Sequence, residues 1–351
     1  MEGSIFLTGE NPELARAEVE GALKALGKHM VLENPDERIV MLDGPVPPGL
    51  ASRLGFSHFT GRTVSITESS IPEILVKLKG MISESPPEKG ISMVVKVPAG
   101  RFGFSSSDLF TAAEDVIRSE GKRVMHRQPD LKMFIIVRDM TYIGWIDELT
   151  DRNSAKLRRG SRMPFNRPVV MDPRLARVLV NLSGLPPDSL ILDPFLGPGG
   201  LAIEAAHLGH RVIGVEMDRE ICRGARANVS HQGLSDRIEV QEGDSRKLAS
   251  YPWARKISRV DGIITDPPFG RSAGTMGQDP GKLLYKVLEE VNDLMEPGSP
   301  LVLDSFSEEI IDNVPGFGLL RKFDIRVHKS MTRHIGLLVK IGEERKKSDR
   351  S

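Results

Sequence analysis

Leu190-Ile-Leu-Asp193-Pro-Phe195-Leu-Gly197-Pro-Gly199-Gly200 reads as a short apolar strand, a glycine-rich turn and the opening of a helix. Glycines at a strand-to-helix turn let the backbone approach a ligand closely. The same pattern continues on both sides of this stretch. Four apolar strands each end in an acid: Leu190 to Asp193, Val212 to Glu216, Ile238 to Val240 with Asp244 close behind, and Gly262 to Asp266. Helical segments such as Ala202 to Leu208 and Arg219 to Val229 lie between them. Strand and helix alternating in this way predict an α/β fold with a doubly wound parallel sheet. Ligands bind such sheets at the carboxyl ends of the strands, where all four acids fall. Leu301 to Asp304 adds a fifth strand, and Arg321 to His328 with His334 to Ile341 predict a closing antiparallel pair.

The turn supports two kinds of cofactor. Gly197-Pro-Gly199-Gly-Leu-Ala202 satisfies the dinucleotide pattern G-x-G-x-x-A, and Glu216 follows at about the distance of a ribose-binding acid. That motif alone leaves a dehydrogenase open. Asp193 argues against it, because a carboxylate four residues before the first glycine would face an incoming pyrophosphate. S-adenosylmethionine brings an ammonium and a sulfonium to that place, and an acid suits both. Asp244 then suits the exocyclic amine of adenine. The candidate cofactor residues on this reading are Asp193, Phe195, Gly197, Gly199, Gly200, Glu216 with its neighbour Met217, and Asp244 with its neighbour Ser245.

Asp266-Pro267-Pro268-Phe269-Gly270 closes the fourth strand and is the candidate catalytic segment. Two prolines remove two backbone donors, so the segment offers acceptors. The Asp266 carboxylate and the Pro267 carbonyl can accept hydrogen bonds from an amino group. A nucleobase amine is conjugated and weakly nucleophilic, so hydrogen bonds that aim its lone pair at a methyl group supply catalysis by orientation. Phe269 can stack on a base extruded from its helix. Guanine N2, adenine N6 and cytosine N4 all meet these requirements.

The remaining chain sets wider bounds. Lys and Arg total 48, as do Asp and Glu, so net charge makes no case for nucleic acid. The distribution is uneven: Arg152, Lys156, Arg158, Arg159, Arg162 and Arg167 form a run without acids. The single cysteine, Cys222, excludes a disulfide framework or cysteine-built zinc site and points to a reducing compartment, the cytoplasm. The histidines show no metal spacing, and neither a signal peptide nor a membrane span is expected. Before the run, strand-like and helix-like patterns alternate: strands at Ser4 to Thr8, Ile39 to Leu42, Ile91 to Val97, Lys132 to Val137 and Thr141 to Trp145, with helices near Asn11 to Leu26, Ile71 to Ile82 and Ser107 to Arg118. They predict two small mixed α/β units in series.

The catalytic segment resembles the Asp/Asn-Pro-Pro-aromatic motif of amino-methylating class I methyltransferases, with Phe269 where many members carry tyrosine. Leu196 and Pro198 stand where relatives often have Cys and Thr. Arg162-Met-Pro-Phe165-Asn-Arg167-Pro168, followed by Met171-Asp-Pro173, resembles the segment before the catalytic sheet in archaeal tRNA guanine-N2 methyltransferases. That resemblance implies that Phe165 and Arg167 help close over the methionine end of the cofactor. Leu7-Thr8-Gly9-Glu10 and Gln128-Pro129-Asp130 resemble the family's N-terminal ferredoxin-like and THUMP domains, which implies tRNA as partner. The implied organisation is a ferredoxin-like and THUMP region at 1–150, a basic linker at 151–168, a Rossmann-like methyltransferase domain at 169–342 and a tail at 343–351. The implied reaction is N2-methylation of guanosine at tRNA position 10, once or twice. Another tRNA or ribosomal RNA site, a DNA amino-methyltransferase and an inactive RNA-binding module are the rivals.

Overall fold

The computed structural model describes residues 2–86, 90–167, 171–268, 280–328 and 331–342. Phe269, Gly270 and the tail 343–351 therefore lie outside the described residues. The elements of the first half are β1 (Glu2–Leu7), α1 (Pro12–Ala25), β2 (Leu32–Asp36), β3 (Ile39–Leu42), α2 (Leu50–Arg53), β4 (Ser57–Glu68), α3 (Ile71–Ser83), β5 (Gly90–Lys96), α4 (Ser106–Ser119), β6 (Arg123–Val124), β7 (Leu131–Val137) and β8 (Met140–Leu149). The second half has α5 (Arg152–Leu157), α6 (Pro173–Leu182), β9 (Leu190–Asp193), α7 (Gly200–His207), β10 (Arg211–Glu216), α8 (Arg219–His231), β11 (Ile238–Glu242), β12 (Gly262–Thr265), α9 (Pro280–Val291), β13 (Pro300–Ser305), α10 (Glu308–Asp312), β14 (Phe317–His328) and β15 (Met331–Lys340).

The chain divides into two compact units. The first holds Met1–Pro12, His29–Ser52 and Ser57–Asp151. The second holds Glu13–Lys28, Arg53–Phe56 and the chain from Arg152 onward. The division thus departs from a cut at residue 150, since most of α1 and the short stretch after α2 belong with the second half. A buried acid explains the assignment. Glu18 on α1 accepts the backbone N–H of Gly55 at 2.6 Å, the N–H of Phe56 at 2.9 Å and the side-chain amide of Asn181 on α6 at 2.9 Å.

In the first unit the strands form one sheet, ordered β2-β3-β1-β4-β8-β7-β5-β6. The bridge is β4, which pairs antiparallel with β1 on one side and β8 on the other. The sequence concealed it because its buried positions include Ser57, Thr60, Thr63 and Thr67 in place of an apolar run. β-branched threonine still favours the extended backbone. Helices α3 and α4 cover the sheet through Ile74, Leu78, Ile82, Leu109 and Ile117, packed on Met133, Ile135 and Ile143. A capping box starts α4: Ser105 accepts from the Asp108 N–H, and Asp108 accepts from the Ser105 N–H.

The second sheet is ordered β11-β10-β9-β12-β13-β15-β14. Strands β9 to β13 run parallel, while β15 is antiparallel to β13 and β14 to β15. This is the doubly wound sheet expected from the strand-helix alternation, with the closing pair in place. Its core joins Leu192, Ile263, Leu301 and Leu303 to Leu284 and Leu288 of α9. The order reverses between β9 and β12, which makes that gap the topological switch point. The segment from 151 onward, read from sequence as a basic linker, holds α5 and a 3-10 turn at Gly160–Arg162. Among the described residues no helix is long and apolar enough to cross a membrane.

Candidate active site

The two acids flanking the switch point stand on neighbouring strands and are linked through Thr265. Asp193 ends β9 and is 2% exposed. Its Oδ1 accepts the Thr265 hydroxyl at 2.8 Å and the Phe195 N–H at 3.2 Å. Thr265 ends β12, so Asp266 lies just beyond it. Burial raises the Asp193 carboxyl to about 7, and the charges of Asp266 and Glu216 add to the rise. The chain then turns through Gly197 (φ 53°) and Gly199 (φ 87°) into α7, which begins at Gly200. A side chain is strained at either φ, and a Cβ at Gly197 would meet no described atom within 4 Å. The turn is therefore open on its outer side.

Glu216 ends β10 and ties the turn down. One oxygen accepts the Gly197 N–H at 3.0 Å and the other the Asp218 N–H at 2.8 Å. Burial raises its pKa. The carboxylate keeps acceptor capacity for a ligand hydroxyl. Met217, next along, is 42% exposed beside this acid. Asp244 follows β11 and already has a charged partner: Arg246 donates to both of its oxygens at 2.8 Å, which holds its carboxyl below the usual range. Its N–H donates to the Tyr251 hydroxyl at 2.9 Å. Ser245 is buried, and its hydroxyl donates to the Pro194 carbonyl at 2.7 Å. Ser245 thereby braces the turn, and Asp244 shares its acceptor capacity with Arg246.

The segment before the sheet docks on α8. A Cβ at Gly224 would sit 2.2 Å from the Phe165 ring, so the missing side chain is the seat of that ring. Asn228 holds the same segment at two points and the glycine turn at a third: it accepts the Phe165 N–H at 2.9 Å and donates to the carbonyls of Phe165 at 2.9 Å and Pro198 at 3.0 Å. The last contact fastens the segment to the glycine turn. Arg167 stacks its guanidinium 5.5 Å from the Phe165 ring centroid and pairs with Glu220 at 3.5 Å. Phe165 and Arg167 are thus brought to the rim of the turn. Arg158 is different: it joins Arg177 in pairing with the buried Glu204, at 2.5 and 2.8 Å. That basic residue belongs to the core, not to a solvated stripe.

Asp266 carries the feature with the clearest chemical use. Among the described residues its buried Oδ1 has no hydrogen-bond partner, while Oδ2 lies 3.6 Å from Nη1 of Arg333 on β15. Burial raises its pKa and Arg333 pulls it back. Pro267 and Pro268 follow Asp266 directly and are among the described residues. Arg333 also contacts Asp304 at the end of β13. Sequence alone assigned no role to Arg333, Asp304, Thr265, Asn228, Gly224 or Arg246. Only Asp304 carried a signal, as another acid at a strand end.

The donor set at the turn is carboxylate, from Asp193 and Glu216, which suits a ligand bearing cations and hydroxyls and opposes a pyrophosphate. Residues 159–339 match the family model described as RMKL-like, methyltransferase domain. The chain is 28% identical to a tRNA (guanine(10)-N2)-dimethyltransferase of Methanothermobacter thermautotrophicus, with 97% of this chain and 100% of that one covered. It is 28% identical to the Pyrococcus abyssi protein of the same name, covering 95% and 98%. Among solved structures, TrmN from Thermus thermophilus superposes with a TM-score of 0.62 at 22% identity, over 97% of this chain and 100% of that one.

Proposed function

The chain belongs to the RMKL-like methyltransferase-domain family, and on that premise we propose that it methylates the exocyclic N2 amine of guanosine 10 in tRNA, using S-adenosylmethionine, to give N2-methylguanosine and then N2,N2-dimethylguanosine. The substrate follows from the relatives that align over nearly the whole chain, both tRNA (guanine(10)-N2)-dimethyltransferases. The observation that carries the chemistry is the buried Oδ1 of Asp266 at the switch point, unpartnered among the described residues.

S-adenosylmethionine supplies a methyl group activated by its positive sulfur. The chain's residues do the rest. Asp193 faces the cationic end, Glu216 accepts the ribose hydroxyls, and Asp244 with Arg246 borders the adenine side. Phe165 and Arg167 cover the methionine end, with Phe195, Gly197, Gly199, Gly200, Met217 and Ser245 shaping the turn. At the other partner, Asp266 Oδ1 accepts one N2 hydrogen and the Pro267 carbonyl the second. Pro268 holds that carbonyl in place, and Phe269 stacks on the base. With both hydrogens held, the nitrogen lone pair points at the methyl group. After each transfer the nitrogen gives up one proton, which the Asp266 carboxylate accepts and passes to solvent. A monomethylated amine, once rotated, keeps one hydrogen for Asp266, and the second transfer follows with that contact alone.

The ferredoxin-like and THUMP reading of 1–150, with transferase residues at 169–342, is part of this proposal. The first unit binds tRNA, and α1 with residues 53–56 counts with the transferase. The enzyme acts in the cytoplasm. The test assays a tRNA transcript beside one with guanine 10 replaced by adenine, and identifies nucleosides by mass spectrometry. N2-methylguanosine in the first transcript alone is expected. Equal methylation of both rejects position 10, and N6-methyladenosine rejects guanine.

A further inference from the structure

Three neighbouring strands bring a charge cluster to one edge of the second sheet. Asp266 follows β12, Asp304 lies in β13 and Arg333 in β15. The parallel register pairs Thr265 with Leu303, which sets Asp266 alongside Asp304. The antiparallel register pairs Ser305 with His334, which brings Arg333 across the same edge. Nη1 of Arg333 contacts Asp304 Oδ2 and lies 3.6 Å from Asp266 Oδ2. The guanidinium also lies 5.0 Å from the centroid of the Phe306 ring. Asp304 is 0% exposed and Arg333 8%. Two carboxylates thus share one buried cation, and among the described residues each keeps its Oδ1 unpartnered.

A buried ion pair is costly unless its geometry is satisfied, and a second buried carboxylate adds its own desolvation cost. Such a cluster has a use where one of its members must stay partly unsatisfied. A lone arginine beside Asp266 would fork onto both oxygens, as Arg246 does to Asp244. Asp304 prevents that by drawing Nη1 toward β13.

We propose that Arg333 is a positioning residue for the methyl-transfer site: anchored by Asp304, it holds Asp266 by Oδ2 and leaves Oδ1 free to accept the target amine. The inference rests on the reading of Asp266 as the amine acceptor. The charged groups around Asp266 among the described residues are Arg333 from β15, which lowers it, and Asp304 from β13 and Asp193 from β9, both of which its own charge raises. Burial raises both Asp266 and Asp304, the charge of Asp266 raises Asp304 further, and Arg333 lowers both. The two ends of the clamp therefore have opposite effects on Asp266. Losing Arg333 leaves two adjacent carboxylates with no cation, so Asp266 holds its proton to higher pH. Losing the Asp304 carboxyl that draws Nη1 toward β13 releases Arg333 to Asp266, so Asp266 ionises at lower pH.

The experiment follows kcat and KM against pH for the full chain and for Arg333→Met, Arg333→Lys and Asp304→Asn, with a tRNA transcript as substrate. Arg333→Met is expected to lose kcat about 10- to 100-fold, the effect of a misplaced catalytic group, with KM for S-adenosylmethionine nearly unchanged. Its acid limb should move up by about one pH unit or more, and that of Asp304→Asn should move down. Arg333→Lys keeps a cation and should recover the wild-type limb. Limbs that move together, or not at all, in the two variants overturn the clamp. The carboxyl carbons of aspartate-labelled protein, with Asp266→Asn to assign the signal, report the same titration by NMR without any substrate. Opposite shifts there with no methylated tRNA would sink the functional reading and keep the clamp. Unshifted signals would sink the clamp and keep the reading.

Discussion

Replacing Gly224 by alanine is expected to reverse its effect on stability according to the residue at 165. A Cβ at Gly224 falls 2.2, 2.3 and 2.6 Å from three atoms of the Phe165 ring, so the ring must leave its seat or α8 must shift. Overpacking of this kind costs about 1–3 kcal/mol. Alanine inside a helix gains about 0.5–1 kcal/mol over glycine. The net effect in the native background is a destabilisation of up to about 2.5 kcal/mol. In a Phe165→Ala background the clash is absent, and the same substitution should stabilise by about 0.5–1 kcal/mol. The coupling energy across the cycle is the overpacking cost itself, about 1–3 kcal/mol. Denaturant unfolding of the four proteins measures it. Calorimetry with S-adenosylmethionine on the Gly224→Ala protein adds the functional half. An unseated Phe165 should weaken binding, since the segment it anchors is fastened to the glycine turn through Asn228 and Pro198. A change of equal sign and size in both backgrounds would refute the seat.

Three other outcomes are expected. Asp193, raised from 3.8 to about 7 by burial, should make affinity for the cationic cofactor climb as pH rises through about 7, because the charged form appears there; calorimetry on Asp193→Asn should show no such climb. The same shift means that the folded chain keeps a proton which the unfolded chain has lost, so this group's contribution to the stability of the unliganded protein falls between about pH 4 and pH 7. Glu216→Ala should weaken S-adenosylmethionine by about 1–3 kcal/mol, whereas Asp266→Ala should bind it normally and lose most turnover; a collapse of affinity in the second variant contradicts the role given to Asp266. Deleting residues 1–150 removes α1 and its Glu18 contacts to Asn181, so the fragment should melt well below the full chain by calorimetry, and an unchanged melting temperature would show that α1 is dispensable to the second unit.

Much of the second half was legible in the sequence because its signals are local. An apolar strand ending in an acid, then glycines, then a helix, is written in consecutive residues, and the sheet places each acid at a carboxyl end. Asp193, Glu216 and Asp266 therefore appear in the structure where the pattern puts them. The first half was legible in its helices and several strands, yet not in its single sheet. Strand β4 fills buried positions with threonine and serine, and an apolar count passes over it. The neighbours of the site were not legible either. Arg333 reaches Asp266 only because β15 inserts beside β13, and Phe165 finds its seat only because Gly224 turns toward it on α8. Asp244 looked free in sequence, although Arg246 two residues away occupies both oxygens. Sequence determined which residue types stand at strand ends, since periodicity and turn chemistry act over a few residues. Tertiary structure decided which charges share a partner, because strand order and burial bring together residues far apart in the chain and leave single oxygens, such as Oδ1 of Asp266, without one among the described residues.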